Sequence, residues 1–371
     1  MIRRYLPKSV EELIHWYERY VSPFALVGGF LLDTFFLLDR VDTLSGNLLL
    51  LFYLALAGSG IIFLNVIEAG RIRFAWILTV SPLIPVVVQF AFGGLFSAYL
   101  SLYGRSASPI ASWVFVLAIA GLLIGNERFR RLYIRLPFQI SIYFFTLLSF
   151  FSFFVPVVIH KIGPVVFLAS GILSLGIVVL FLYLLAHVAP EATRAARTSL
   201  IRSIAIIYLA FNALYFADLI PPLPLALKDA GVYHSLQRVG GGYVLEQEHQ
   251  PLLLRLLPFP GIFHRTDASP SAADNRTYVF AAVFAPTGLS TSIVHEWQYY
   301  DSERGWVTES RITFNIVGGR DGGYRGYSLK SSLHEGKWRV NVLTAYGQTI
   351  GRIVFRVEHV ENAVRLQSIE A

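Results

Sequence analysis

From Ser22 to about Pro222 the sequence is a succession of apolar runs, each close to the length a membrane-crossing helix needs. A hydrocarbon layer of about 30 Å takes roughly 20 residues at about 1.5 Å of rise each. Every backbone N–H and C=O inside that layer must bond within the protein, which leaves helices as the economical solution. Seven runs fit: Ser22–Leu38, Gly46–Ile67, Phe74–Tyr99, Pro109–Gly125, Pro137–Ile159, Pro164–Val188 and Ser203–Ile220. Pro82 and Pro85 fall inside the third and predict a kink, because proline removes a helix hydrogen bond.

The charges between the runs orient the bundle. Arg3, Arg4, Lys8 and Arg19 precede the first run, and Arg71 and Arg73 follow the second. Arg128, Arg130, Arg131 and Arg135 follow the fourth, and Arg194, Arg197 and Arg202 follow the sixth. The opposite connections carry only Arg40, Arg105 and Lys161, so the count is thirteen against three. Basic residues stay in the cytoplasm, so the N-terminus is expected inside and everything after the seventh run outside. Residues 1–21 are expected to form an interfacial amphipathic helix. Ser9 with Glu12 makes a capping box, and Val10, Leu13, Ile14, Tyr17 and Val21 share one face.

Composition excludes several classes. With no cysteine there is neither a disulfide nor a thiol nucleophile. The net charge of +7 is explained by the loops just named, so nucleic acid is not an expected partner. No cofactor or metal motif and no catalytic constellation stands out. Ionisable residues at membrane depth are costly and therefore functional candidates. Asp33 lies in the first run, Asp218 at the outer end of the seventh, and His160 at the outer end of the fifth. If the first and seventh helices are adjacent, these three form an outer-leaflet polar pocket. Asn65, Gln89 and Asn212 read instead as hydrogen bonds of packing.

Past Pro222 the text changes character, with charges, glycines and aromatic residues interspersed. Residues 223–277 read as a linker and the start of an outer domain. From 278 to 371 short β-branched and aromatic runs alternate with turn residues: Tyr278–Ala285, Ser292–Tyr300, Trp306–Ile316, Tyr324–Ser331, Lys337–Ala345 and Ile350–Val357. Six such strands predict an antiparallel β-sandwich of immunoglobulin-like size. Trp338, Val340 and Val342 alternate with Arg339, Asn341 and Leu343, which assigns opposite faces of one strand.

Several elements of this region act together: Val294-His295-Glu296-Trp297, Tyr324-Arg325-Gly326-Tyr327-Ser328-Leu329-Lys330, Gly336-Lys337-Trp338-Arg339-Val340, Gly347-Gln348 and Phe355-Arg356-Val357. They resemble the bacterial family catalogued as domain of unknown function 2914, over roughly residues 293–357. Tyr324 and Tyr327 stand where the family pattern leads one to expect tryptophan. The resemblance implies a compact domain and no chemistry. His295, Trp297, Arg325, Lys330 and Arg339 are candidates for a face that takes an anionic or sugar ligand. If the odd-numbered positions of the His295 strand face inward, however, Trp297 and Trp338 belong to the core.

The expected protein is thus a multi-pass protein of a bacterial cytoplasmic membrane, without enzymatic activity. Its partners would be membrane lipid and, for the outer domain, an envelope protein or glycan. A transporter or lipid-handling protein working at the Asp33 pocket is the alternative.

Overall fold

A computed structural model describes residues 40–72, 74–106, 112–128, 135–240, 242–248, 265–267, 276–331, 333–358 and 366–370. The amphipathic segment 1–21, the run Ser22–Leu38 and Asp33 lie outside the described residues. The chain divides into two compact units. One carries the helices; the other comprises Arg105–Trp113, His160–Gly163 and Asp218–Ala371.

The helical unit contains α1 (Leu44–Glu68), α2 (Ala75–Val80), α3 (Ile84–Ser106), α4 (Trp113–Arg128), α5 (Leu136–Ile159), α6 (Pro164–Val188) and α7 (Pro190–Phe216). Five of these seven, all but α2 and α4, are long and apolar enough to cross a membrane. The third apolar run is broken where proline predicted it. A 3₁₀ turn at Ser81–Leu83 separates α2 from α3, with Pro82 in the turn and Pro85 at the second position of α3, where a missing N–H costs no helical bond.

α5 is the hub, packing against α1, α6 and α7. Hydrogen bonds tie it to α3 as well. The Tyr99 hydroxyl donates to the Thr146 carbonyl at 2.8 Å, and the Tyr103 hydroxyl reaches the Ser149 carbonyl at 2.8 Å. Asn65 of α1 donates to the side chain of Gln139 of α5 at 3.1 Å. Gln89 and Asn126 exchange side-chain-to-carbonyl bonds between α3 and α4. Asn212 instead returns to the Tyr208 carbonyl of its own helix. Between apolar helices such polar contacts fix register, since hydrophobicity alone does not distinguish a neighbour from lipid.

α7 departs from the sequence reading. It begins at Pro190, thirteen residues before the expected Ser203, and only Ala189 separates it from α6. Arg194, Arg197 and Arg202 are therefore helical residues, not loop residues. Hydropathy reports depth, whereas Glu-Ala-Thr-Arg-Ala-Ala-Arg after a proline is a sequence of strong helix formers.

The C-terminal domain has eleven strands among the described residues: β1 (Ala226–Tyr233), β2 (Ser235–Val239), β3 (Gly242–Glu248), β4 (Arg265–Asp267), β5 (Arg276–Phe284), β6 (Ser290–Asp301), β7 (Gly305–Val317), β8 (Tyr324–Ser331), β9 (Gly336–Thr344), β10 (Thr349–Val357) and β11 (Leu366–Glu370). The six expected strands correspond to β5–β10, while β1–β4 fall in residues 223–277, read as a linker and the start of the outer domain. They form three sheets, ordered β1-β5-β8, β4-β10-β9-β6-β7 and β11-β3-β2. All pairs are antiparallel except β4 with β10. β7 bulges against β6: Trp297 faces Ser310 and Gln298 faces Thr308, so Glu309 is the extra residue.

The first two sheets share one core. Val279, Ala281 and Val283 of β5 meet Ile293 and Trp297 of β6, Trp338, Val340 and Val342 of β9, and Ile353 and Phe355 of β10. Trp297 and Trp338 are both fully buried, as the alternation of their strands requires. Gly326 allows the sheets to approach, because a Cβ there would collide with the Phe314 ring.

Candidate functional site

Strand alternation places one row of side chains of the five-stranded sheet in the core and the next on its other face. Register then writes three rows across that second face. Arg352, Asn341, Glu296 and Arg311 stand side by side, followed by Val354, Arg339, Gln298 and Thr308. The third row pairs Arg356 with Lys337 and Tyr300 with Trp306. The three rows carry five basic side chains; Arg311, Arg339 and Arg352 act on the Glu296 carboxylate, while Arg356 pairs with Glu358 at 2.9 Å.

Glu296 organises the group. Its Oε1 accepts from Arg311 Nε at 2.9 Å and from the same guanidinium's terminal nitrogen at 2.6 Å. Its Oε2 accepts from Gln298 Nε2 and Asn341 Nδ2, both at 3.0 Å. A carboxylate can only accept, so both amides must turn their NH₂ groups toward it. Their oxygens then face outward along the sheet. Gln298 Oε1 receives Arg339 Nε at 2.5 Å, and Asn341 Oδ1 receives Arg352 Nε at 2.6 Å. Glu296, Gln298 and Asn341 are all buried although they lie on the face away from the core.

Charge follows the same geometry. Burial disfavours the Glu296 carboxylate, but hydrogen bonds from Asn341 and Arg311 and the charges of Arg311 and Arg339 outweigh it and hold the group below its ordinary value. Burial and the neighbouring Arg352 pull Arg339 down to about 10, against the attraction of Glu296. Burial likewise lowers Arg352, which Asp218 and Glu296 partly offset. Two guanidiniums are thus held close together in partly dry surroundings. Each spends Nε on an amide oxygen, and the terminal nitrogens of neither bond to any described residue. The Arg339 guanidinium also lies 4.3 Å from the centre of the Trp306 ring, and Tyr300 packs on Trp306 at 5.2 Å. Fixed, paired and unsaturated guanidinium forks fit a carboxylate or phosphate.

The five residues suggested by the sequence are divided among three surroundings. Arg339 belongs to the cluster just described. His295 and Trp297 lie in the core, where the Ser328 hydroxyl meets His295 Nδ1 at 2.8 Å and accepts from Trp297 Nε1 at 3.0 Å. His295 is fully buried, its Nε2 has no partner, and burial pushes it down to about 3. Lys330 points inward from β8, 3.6 Å from Glu309 and over Trp338. Arg325 has the opposite phase on β8 and so lies on the other face of its sheet.

Asp33 is not described, and the other two members of the suggested intramembrane pocket lie past helix ends. Asp218 accepts the Thr349 N–H at 3.2 Å, and burial raises its carboxyl despite that bond and the nearby Arg352. His160, in the left-handed region at φ 53°, packs its ring where a Cβ of Gly288 would stand. No group of three or more His, Asp or Glu capable of holding a metal occurs among the described residues.

Glu296, Gln298, Asn341, Arg311, Arg352 and Trp306 were missed by reading the sequence. Their signal was the alternate phase of strands already recognised: Arg339 and Asn341 oppose the core residues of β9, as Glu296 and Gln298 do on β6.

Fold and site together define a helical protein with membrane-length spans and a β-rich domain bearing an arginine–amide cluster. Residues 290–357, which run from β6 through β10 and contain the whole cluster, match the family described as "Protein of unknown function (DUF2914)". No curated protein matches the chain. A solved structure of Pseudomonas fluorescens alkylpurine DNA glycosylase AlkC, bound to DNA containing an abasic site analog, aligns at 12% identity over 77% of this chain and 82% of that one. Its TM-score of 0.19 is too low to indicate a common fold, and nothing follows from it.

Proposed function

We propose that this chain is a non-enzymatic, multi-pass protein of a bacterial cytoplasmic membrane whose C-terminal domain, on the outer side, binds an acidic envelope glycan. The observation that carries the reading is the pair Arg339 and Arg352, each anchored through Nε and each with unspent terminal donors. Recognition of a carboxylate or phosphate needs guanidiniums that do not move when the ligand arrives, and the Glu296 amide network supplies that stiffness. Trp306 and Tyr300 beside the cations offer aromatic faces for a sugar ring. The asymmetry of basic residues among the connections supports the outer location.

The test is calorimetric titration of the detergent-solubilised full chain with oligogalacturonate, and with the same oligosaccharide after its carboxylates are reduced to neutral alcohols. Charge-assisted hydrogen bonds contribute about 1.5–3 kcal/mol each, so Arg339→Ala and Arg352→Ala should each weaken binding by roughly ten-fold or more. Equal binding of the charged and reduced oligosaccharides, or variants that bind as the parent does, would overturn the proposal.

A further inference from the structure

At the junction of α6 and α7 the helical unit carries a groove of about 380 Å³, lined by Leu182, Ala186, Pro190, Arg194, Arg197 and Ile201, with Thr193 and Leu200 completing it. The α7 residues recur at spacings of three and four and therefore form one face of that helix. Along this face chemistry changes in order. Arg194 and Arg197 stand near the helix start, and Leu200 and Ile201 follow toward the apolar remainder. Neither arginine bonds to a described residue, and both are exposed. Glu191, the one acid in this stretch, lies three residues before Arg194 but pairs with neither arginine.

Length decides the depth. α7 has 27 residues, or about 40 Å of helix, which exceeds a hydrocarbon layer of about 30 Å. With Leu200–Phe216, about 25 Å, placed in the hydrocarbon, Arg194 and Arg197 stand within the headgroup layer, and the exposed Arg202, about 3 Å inside its edge, reaches that layer by extending its side chain. The single-residue link at Ala189 turns the chain back there, which opens the groove between the end of α6 and the beginning of α7.

We propose that this groove is a binding site for an anionic phospholipid of the leaflet that the arginines face. The phosphate lies between Arg194 and Arg197, and the first part of an acyl chain runs along Leu182, Leu200 and Ile201. Basic residues above an apolar channel match the amphiphile group by group: guanidiniums pair with phosphodiester oxygens, and methyl-bearing side chains with methylenes. The site does not depend on the reading of the C-terminal domain.

The test is native mass spectrometry of the full chain released from mild detergent after incubation with phosphatidylglycerol or with phosphatidylcholine. The expected result is discrete phosphatidylglycerol adducts, at least ten-fold more abundant than phosphatidylcholine adducts. The double variant Arg194→Gln, Arg197→Gln should lose that preference. Leu182→Trp fills the groove without altering charge and should also reduce retention. Arg202→Gln removes a nearby charge that does not line the groove and should retain the lipid as the parent does, with circular dichroism confirming helix content in every variant. Equal retention of the two lipids by the parent, undiminished retention by the double variant, or an equal loss in Arg202→Gln would each overturn the proposal.

Discussion

Acid should destabilise the C-terminal domain through one buried imidazole. His295 is fully enclosed, holds Ser328 through Nδ1 and has no acceptor at Nε2, so an imidazolium there would be a buried charge without a partner. Burial lowers it from 6.5 to about 3, so the unfolded chain binds a proton throughout the interval that the folded one refuses. Stability is therefore fully present above 6.5 and is lost as pH falls toward 3. Each pH unit well inside that window costs about 1.4 kcal/mol. Integration from pH 7.5 to pH 5 gives a loss of about 2 kcal/mol, or roughly 4–8 °C in Tm for a domain of this size. Glu296, held below its ordinary value, stays ionised over that interval. Asp218, shifted upward, contributes with opposite sign at the acid end, and a difference measurement removes it. The assay is thermal unfolding of the full chain in detergent, followed by tryptophan fluorescence, since Trp297 and Trp338 lie in the same core. His295→Gln should begin less stable, having disturbed the Ser328 contact, yet lose about 2 kcal/mol less between pH 7.5 and pH 5. Parallel acid profiles for the parent and the variant would refute the reasoning.

Two packing predictions accompany it. Gly326→Ala drives a methyl group into the Phe314 ring between the two sheets and should lower stability by about 1–3 kcal/mol, read as a Tm decrease by the same fluorescence assay. Tyr99→Phe deletes the hydroxyl bonded to the Thr146 carbonyl between α3 and α5. It should cost about 0.6–2 kcal/mol, measured as a lower midpoint for loss of helical circular dichroism in detergent.

How much of this was legible beforehand depended on whether the signal was local. β5–β10 were readable because β-branched and aromatic residues alternate there between clear turns. β1 was not: its sequence Ala-Leu-Lys-Asp-Ala-Gly-Val-Tyr has little intrinsic strand preference. Pairing with β5, over a register running from Ala226–Phe284 to Tyr233–Tyr278, imposes the extended state. The start of α7 was hidden for a different reason, since charge suggested a loop where the backbone is helical. In the arginine–amide cluster the phase of each strand was available from the sequence, but the register between strands was not. Arg352 meets Asn341, and Asn341 meets Glu296, only because β10, β9 and β6 are aligned at those residues. Alternation also favoured a core position for Trp297, and the structure gives His295 the same fate.

A strand at the margin of a sheet offers its unspent amides to whatever comes alongside. β7 occupies that margin for thirteen residues. The extra residue Glu309 interrupts the alternation of amides near the strand's middle, and Lys330 holds its carboxylate from β8. A second β7 laid against the first would find two short stretches out of step with each other and a charged pair at the break. Copies can thus crowd together without their sheets growing into one another along β7, which leaves the flat face of the domain, and not this edge, available for encounter.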